Sequence, residues 1–295
     1  MTNRPTTDED GEKLLPTFEA IPGSLAVRDC QDLMAYPFFS LAKTKRTVPI
    51  GYSNKKVDIC VEGTVQHGIA TIWDADILIW ASSQWMEARD SQIATSRRLA
   101  VTPYEILKFT DRGTAASDYQ RLRAALDRLQ STTIQTSIRQ GAARRQHRFS
   151  WVNEWQEHAV NSRPHGLELV LPDWFYEGVL VSGEVLTIDR RYFQLTGGLE
   201  RWLYRLVRKH AGRQATGWRF DFRHLYAKSG ALIRFSDFAI HLRRIALKQS
   251  LLEYRLNIER RASGTEILSF HRSRGVPVRE RITRLSKQLK FGDKL

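Results

Sequence analysis

Apolar residues recur at helical spacing through ATIWDADILIWASSQWMEA (residues 70–88), where Ile77, Leu78, Ala81 and Trp85 share one stripe, so the segment reads as a long helix. Thr102-Pro103-Tyr104-Glu105 then carries the marks of a second helix start: a hydroxyl to cap free amides, a proline suited to the first turn and a glutamate to reach back. That helix is expected to run to about Phe109. Asp111-Arg112-Gly113 breaks the chain, and Ser117 opens a third helix, SDYQRLRAALDRLQ (117–130), with Gln120 at the reciprocal capping position. The period then changes. Ile134, Thr136 and Ile138 alternate with Gln135 and Ser137 as in a strand, a turn follows at Gly141, and RFSWVNEW (148–155) reads as the returning strand. Three helices followed by a β-hairpin is the order of a winged helix, whose third helix enters the major groove of DNA while the hairpin, or wing, touches the flanking backbone.

The second half repeats this order. GLERWLYRLVRKHAG (198–212) is a helix ended by Gly212, Asp221 begins a short helix to Ala227, Ser229-Gly230 turns, and SDFAIHLRRIALKQS (236–250) is a third helix before another hairpin. Ser117-Asp118-Tyr119 matches Ser236-Asp237-Phe238 at an offset of 119, and Leu122-Arg123 matches Leu242-Arg243 at 120. Ile134 to Ile138 aligns with Tyr254 to Ile258 at 120, and Phe149-Ser150-Trp151 with Leu268-Ser269-Phe270 at 119. The expected fold is therefore α+β, with two tandem winged-helix domains related by an internal duplication. The divisions read as a flexible acidic leader (1–30), a first domain (31–165), a second domain (166–275) joined by a linker around Pro164 to Leu171, and a basic C-terminal helix or tail (276–295).

With 295 residues, 42% of them hydrophobic, the chain can build about two ordinary cores. Lys and Arg number 46 against 32 Asp and Glu, a net charge of +14, which points first to nucleic acid. Cys30 and Cys60 lack the paired spacing of a zinc site or a disulfide framework, and a reducing interior is the simplest setting. Asp8, Glu9, Asp10 and Glu12 make the first residues too acidic for a secretory signal, and Asp74 and Asp76 interrupt the most apolar stretch, so the expectation is a soluble cytoplasmic protein with no membrane partner.

On the first third helix, Tyr119, Leu122, Ala125, Leu126 and Leu129 form the core face, leaving Gln120, Arg121, Ala124, Asp127 and Arg128 opposite and Arg123 beside them. A small alanine amid arginines lets a helix sit deep in a groove while the guanidinium groups read guanine edges or grip phosphate. The hairpin run RQGAARRQHR (139–148) adds Arg139, Arg144, Arg145 and Arg148 with no acid among them. In the second domain His241, Arg244 and Lys248 share a strip flanked by Arg243, and the hairpin carries Arg260, Arg261 and Arg272. Ile240 and Leu247 fall opposite Phe238 and Leu242, which implies burial of that helix on two sides. The alternative for these arginines is pairing with Glu253, Glu259 and Glu266 on a solvated surface. Trp151, Trp155, Trp174, Trp202 and Trp218 read mainly as core, with stacking on single-stranded bases as the other possibility.

No GxxxxGK[ST] loop, HExxH or CxxC occurs, so no cofactor, metal or catalytic group is expected, and the chain reads as a binding protein rather than an enzyme. His241-Leu242-Arg243-Arg244 satisfies the short HxxR pattern of tyrosine recombinases, with Tyr254 as the only later tyrosine.

Beyond these cores the chain resembles the plasmid replication initiator protein A family. The resemblance rests on Tyr36-Pro37-Phe38-Phe39-Ser40-Leu41 followed by Lys43 to Arg46, on Ile72-Trp73-Asp74-Ala75-Asp76-Ile77, on SDYQRLRAALDRLQSTTIQTSI (117–138), on LPDWFYEGV (171–179) and on LTIDRRYFQLTGGLERWLYRLVRKHAG (186–212). It covers roughly Leu33 to Arg274. It implies a plasmid-encoded initiator that binds repeated double-stranded sites at an origin through helices Ser117–Gln130 and Ser236–Gln249. It further implies opening of an adjacent A·T-rich region, recruitment of host helicase and primase, and a homodimer that represses its own gene. The competing expectation is a transcriptional regulator with the same DNA contacts and no part in replication.

Overall fold

The computed structural model describes residues 15–139, 147–160, 163–212 and 216–273. Arg144, Arg145, residues 1–14 of the expected leader and the expected tail at 276–295 lie outside them. Five short elements come first: β1 (Thr17–Glu19), β2 (Arg28–Cys30), α1 (Gln31–Ala35), β3 (Ile50–Ser53) and β4 (Asp58–Glu62). The predicted long helix follows as α2 (Ala75–Asp90), buried on nearly all sides and so central to the molecule. After β5 (Arg98–Val101) comes α3 (Pro103–Phe109), which has the predicted capping box: Glu105 N–H donates to Thr102 Oγ1 at 3.3 Å and Thr102 N–H donates to Glu105 Oε2 at 2.9 Å. Asp111, in the left-handed region at φ 55°, makes the break before α4 (Ala116–Ser131). That helix begins one residue early, and Asp118 rather than Gln120 reaches back, accepting from Ala115 N–H at 3.1 Å.

The chain continues through β6 (Thr133–Thr136), β7 (His147–Ser150), β8 (Glu154–Val160), β9 (Arg163–Val170), α5 (Asp173–Leu180), β10 (Val185–Thr187) and a 3-10 turn at Arg190–Gln194. The second half is α6 (Gly198–Ala211), β11 (Trp218–Asp221), α7 (Phe222–Ser229), α8 (Phe235–Lys248), β12 (Tyr254–Arg260) and β13 (Glu266–Arg272). Asp221 caps α7 by accepting from His224 N–H at 2.8 Å, and Gly230 ends it at φ 59°.

Sheet pairing identifies the wings. In the second half β11, between the first two helices, pairs with β13, which pairs with β12. In the first half β5 holds the same place, and it pairs with β9, which pairs with β8. Both halves are winged helices of one topology, with β1 added in parallel beside β5. The first wing is thus β8–β9, and the hairpin expected to be the wing is an insertion. β6 and β7 do pair, yet they extend a separate sheet ordered β3-β4-β6-β7, with Cys60 opposite Gln135 and Gln135 opposite Arg148. The third helices keep the expected offset, α4 and α8 starting 119 residues apart, whereas β8 and β12 start 100 apart.

Two boundaries also shift. The expected linker at Pro164–Leu171 is largely strand β9, because Leu167 and Leu169 alternate with Glu168 and bury against β5, so a division at 165 falls inside that strand. Residues 15–30 of the expected leader are built into the fold: Phe18 is buried in β1, and β2 pairs antiparallel with β10.

Buried charge joins the halves. Arg205 on α6 forks onto Asp29 of β2 at 2.7 and 3.0 Å, and Arg201 donates to both Asp76 oxygens on α2 at 2.8 and 3.0 Å. Arg112 adds a third donor to Asp76 at 3.0 Å. Burial pushes the Asp29 carboxyl up, against the opposing pull of the Arg205 guanidinium. At the start of α6, a Cβ on Gly198 would collide with the Leu41 carbonyl and stand 3.0 Å from the Trp73 ring. Gly198→Ala is therefore expected to cost about 1–3 kcal/mol in urea unfolding. Gly197→Ala, whose Cβ meets only the flexible Glu200 side chain, should stay close to wild type. Equal behaviour of the two variants would contradict the close approach.

Candidate nucleic-acid interface

Each third helix is amphipathic and buries one face. On α4, Leu122, Ala125, Leu126 and Leu129 are buried, and Gln120 and Arg121 face solvent with Ala124 half-buried. The outer face borders a cleft of about 880 Å³ whose other walls include Lys43, Lys45, Gln66, His67 and Arg112. Arg121 pairs with Asp118 one turn earlier at 3.0 Å, but its side chain is 73% exposed, so the pair is weak and the guanidinium accessible.

On α8, Phe238, Leu242, Ile245 and Ala246 are buried, and His241, Arg244 and Lys248 lie along a cleft of about 500 Å³. Leu41, Lys45, Leu232 and Ile233 line its opposite side. The expected two-sided burial of α8 is not found: Ile240 is 42% and Leu247 85% exposed. These two residues stand on the outer face, and their apolar character suits thymine methyl groups in a major groove.

Five of the predicted arginines are engaged elsewhere. Arg123 forks onto Glu157 of β8 at 2.7 and 3.1 Å, and Arg243 forks onto Glu266 of β13 at 2.9 and 2.6 Å. These pairs are counterparts: each ties a third helix to its own wing. Arg128 forks onto the buried Asp74 at 2.8 and 2.7 Å. Arg139, at φ 64°, donates to Asp32 at 2.7 and 2.9 Å and lies 4.1 Å from the centre of the Trp174 ring. Arg272 pairs with Glu253 at 3.0 Å, as the solvated-surface alternative anticipated. Arg148 remains largely exposed, 3.6 Å from Glu62, and Arg260 and Arg261 are exposed at the tip of the second wing.

Lys43 and Lys45, unassigned as site residues by the sequence reading, are both exposed. Lys43 Nζ stands 5.3 Å from the centre of the Trp73 ring, and Lys45 Nζ donates to the Gln66 carbonyl at 3.5 Å. Their signal was the acid-free run Lys43-Thr44-Lys45-Arg46.

The recombinase constellation is not assembled. Tyr254 is fully buried, edge-on to Tyr204, and burial raises its phenol, so it cannot attack a phosphate. Trp151, Trp174 and Trp202 are core as expected, while Trp218 is 41% exposed beside His210 and Phe220. Among the described residues no group of three or more His, Cys, Asp or Glu could hold a metal ion, and no helix is long and apolar enough to cross a membrane.

Fold and surface together define a double winged-helix protein with two outward-facing third helices. The chain belongs to the Replication initiator protein A family, whose family model matches residues 28–256. It is 29% identical over 228 residues to a protein of Wigglesworthia glossinidia brevipalpis named "Putative replication protein", an alignment covering 76% of this chain and 82% of that one. Its fold is similar to crystal structures of domains 2 and 3 of RctB. One has a TM-score of 0.62 at 14% identity, covering 83% of this chain and 99% of the other. A second has a TM-score of 0.54 at 14% identity, covering 80% and 95%.

Proposed function

We propose that this chain initiates plasmid replication by binding repeated double-stranded sites at the origin, with α4 and α8 in successive major grooves. The observation that carries the reading is that both third helices present exposed basic side chains beside clefts that meet at Lys45. Gln120, Arg121 and Ala124 on α4, with His241, Arg244 and Lys248 on α8, face the bases. Arg148, Arg260 and Arg261 contact phosphates. Arg128 and Arg139 position these elements through Asp74 and Asp32, and Arg123, Arg243 and Arg272 do so through ion pairs at the surface. Binding bends the duplex between the two grooves, at a cost of about 1–6 kcal/mol by elastic estimates, and the strain favours opening of an adjacent A·T-rich region. Recruitment of host helicase and primase follows, and a dimeric form represses the chain's own gene.

The test is fluorescence anisotropy against repeats found beside the gene and against scrambled DNA, at several salt concentrations. A preference of about 10³-fold or more, with a footprint near two helical turns, is expected. Arg121→Ala and Arg244→Ala should each cut that preference by about tenfold or more, at about 1–3 kcal/mol per contact. Equal binding to both DNAs with only a steep salt slope would reduce the protein to a general polyanion binder. Unreactive thymines in permanganate footprinting of the bound origin would remove the opening step.

A further inference from the structure

The segment Leu41–Arg46 lies between the two clefts and is pinned at both ends. Ser40 N–H donates to Ala70 O at 2.9 Å, and Ile72 N–H donates to Ser40 O at 2.9 Å, which fixes one end. The other end is fixed by Arg46. Its carbonyl accepts from Ile69 N–H at 2.7 Å, and its guanidinium donates to Val48 O at 2.8 Å, to Pro49 O at 3.0 Å and to Gly230 O, at the helix-turn-helix corner of the second domain, at 2.5 Å. The middle is pressed from below, since a Cβ on Gly68 would stand 2.6 Å from Lys45 Cγ and 2.9 Å from Arg46 O. The result is a short rigid strap whose exposed crest is Lys43-Thr44-Lys45. Lys43 and Lys45 line the α4 cleft, Thr44 and Lys45 line the α8 cleft, and among the described residues neither lysine is ion-paired to a carboxylate.

When two recognition helices occupy successive major grooves on one side of a duplex, the minor groove crosses the protein between them. An element lying between the helices meets that groove and its two phosphate edges. Resting on the reading of α4 and α8 given above, we infer that Lys43 and Lys45 form a third DNA contact, in the minor groove between the two half-sites. Because both ends of the strap are already pinned, little ordering cost opposes the contact. A narrow A·T-rich minor groove concentrates negative potential and attracts lysine, whereas guanine places an N2 amino group on its floor. The strap therefore selects the composition of the spacer between half-sites, at positions that neither helix touches.

The experiment uses the full chain, its own repeat, and two altered repeats. In one the A·T pairs of the spacer become I·C, which changes the major groove and leaves the minor groove free of the amino group; in the other they become G·C. The wild type should tolerate I·C and lose about tenfold in affinity on G·C. Lys43→Ala/Lys45→Ala should bind the natural repeat about tenfold more weakly, lose the difference between the spacers, and lower the salt slope by about 2. Lys43→Arg/Lys45→Arg should restore affinity and slope. Equal affinity and slope for the alanine variant and the wild type would overturn the inference. So would an I·C spacer as damaging as G·C, since the spacer would then be read from the major groove. If the wild type did not distinguish its repeat from scrambled DNA, the reading of the two helices would fail first, a separate result.

Discussion

Asp76→Ala is expected to remove about 3–5 kcal/mol of folding free energy, the cost of stranding a buried charge once its partner is deleted. Asp76 is fully buried on the central helix α2 and receives Arg201 from α6 and Arg112 from the loop after α3. Arg201 is itself buried, and its other nitrogens already donate to the carbonyls of Leu195 and Phe193, so it cannot turn toward water. Urea unfolding with an unchanged m-value would measure the loss. Asp76→Asn, which retains an acceptor oxygen, should lose less. A loss below about 1 kcal/mol in the alanine variant would mean that the backbone carbonyls alone satisfy Arg201.

The second large effect concerns pH. Lys228 of α7 is buried, donating to Ala35 O at 3.1 Å beneath the rings of Tyr36 and Tyr52, and burial with the nearby Lys209 charge lowers its pKa from the ordinary value to about 8. A lysine depressed in the folded state gives up its proton before the unfolded chain does. The unfolded state then holds more protons above pH 8, and stability attributable to this group rises with pH until the unfolded lysine titrates near 10.5. The full relief is about 3 kcal/mol, and about 2 kcal/mol of it falls between pH 7 and 10. Lys228→Met lacks this titration. Its stability relative to the wild type should accordingly decline by about 2 kcal/mol over that interval, a difference that cancels the tyrosines titrating in both proteins. A pH-independent difference would show that Lys228 is hydrated in solution.

The helices were legible because a stripe such as Ile77, Leu78, Ala81 and Trp85 is a local signal, and the Thr102–Glu105 capping box needs only four consecutive residues. Sheet assignment was not legible. The alternation of Ile134 and Thr136 announced a strand and its return at β7, but not the sheet the pair joins, because β6 also pairs with β4, more than 70 residues earlier in the chain. The fate of the arginines has the same origin. Helical spacing placed Arg123, Arg128 and Arg243 on outward faces, but the carboxylates that engage them lie 34, 54 and 23 residues away. Arg139 meets its own at a separation of 107. Conversely, Lys43 and Lys45 belong to no periodic element, and only the fold brings them between the two third helices. The family resemblance, which drew on segments outside the helical cores, was the part of the sequence that reached function directly.

The buried carboxylate ties also set a timetable for synthesis. Asp29 meets Arg205 across 176 residues, and Asp76 meets Arg201 across 125. At roughly 5–20 residues per second, Asp29 leaves the ribosome on the order of 10–35 s before its counter-charge exists. During that interval the first winged helix can form its local turns and hairpins, and Asp76 already has Arg112, 36 residues later, as a partner, but Asp29 must wait for Arg205. The interior around Asp29 is therefore completed only when α6 is translated, a long-range closure between residues made far apart in time.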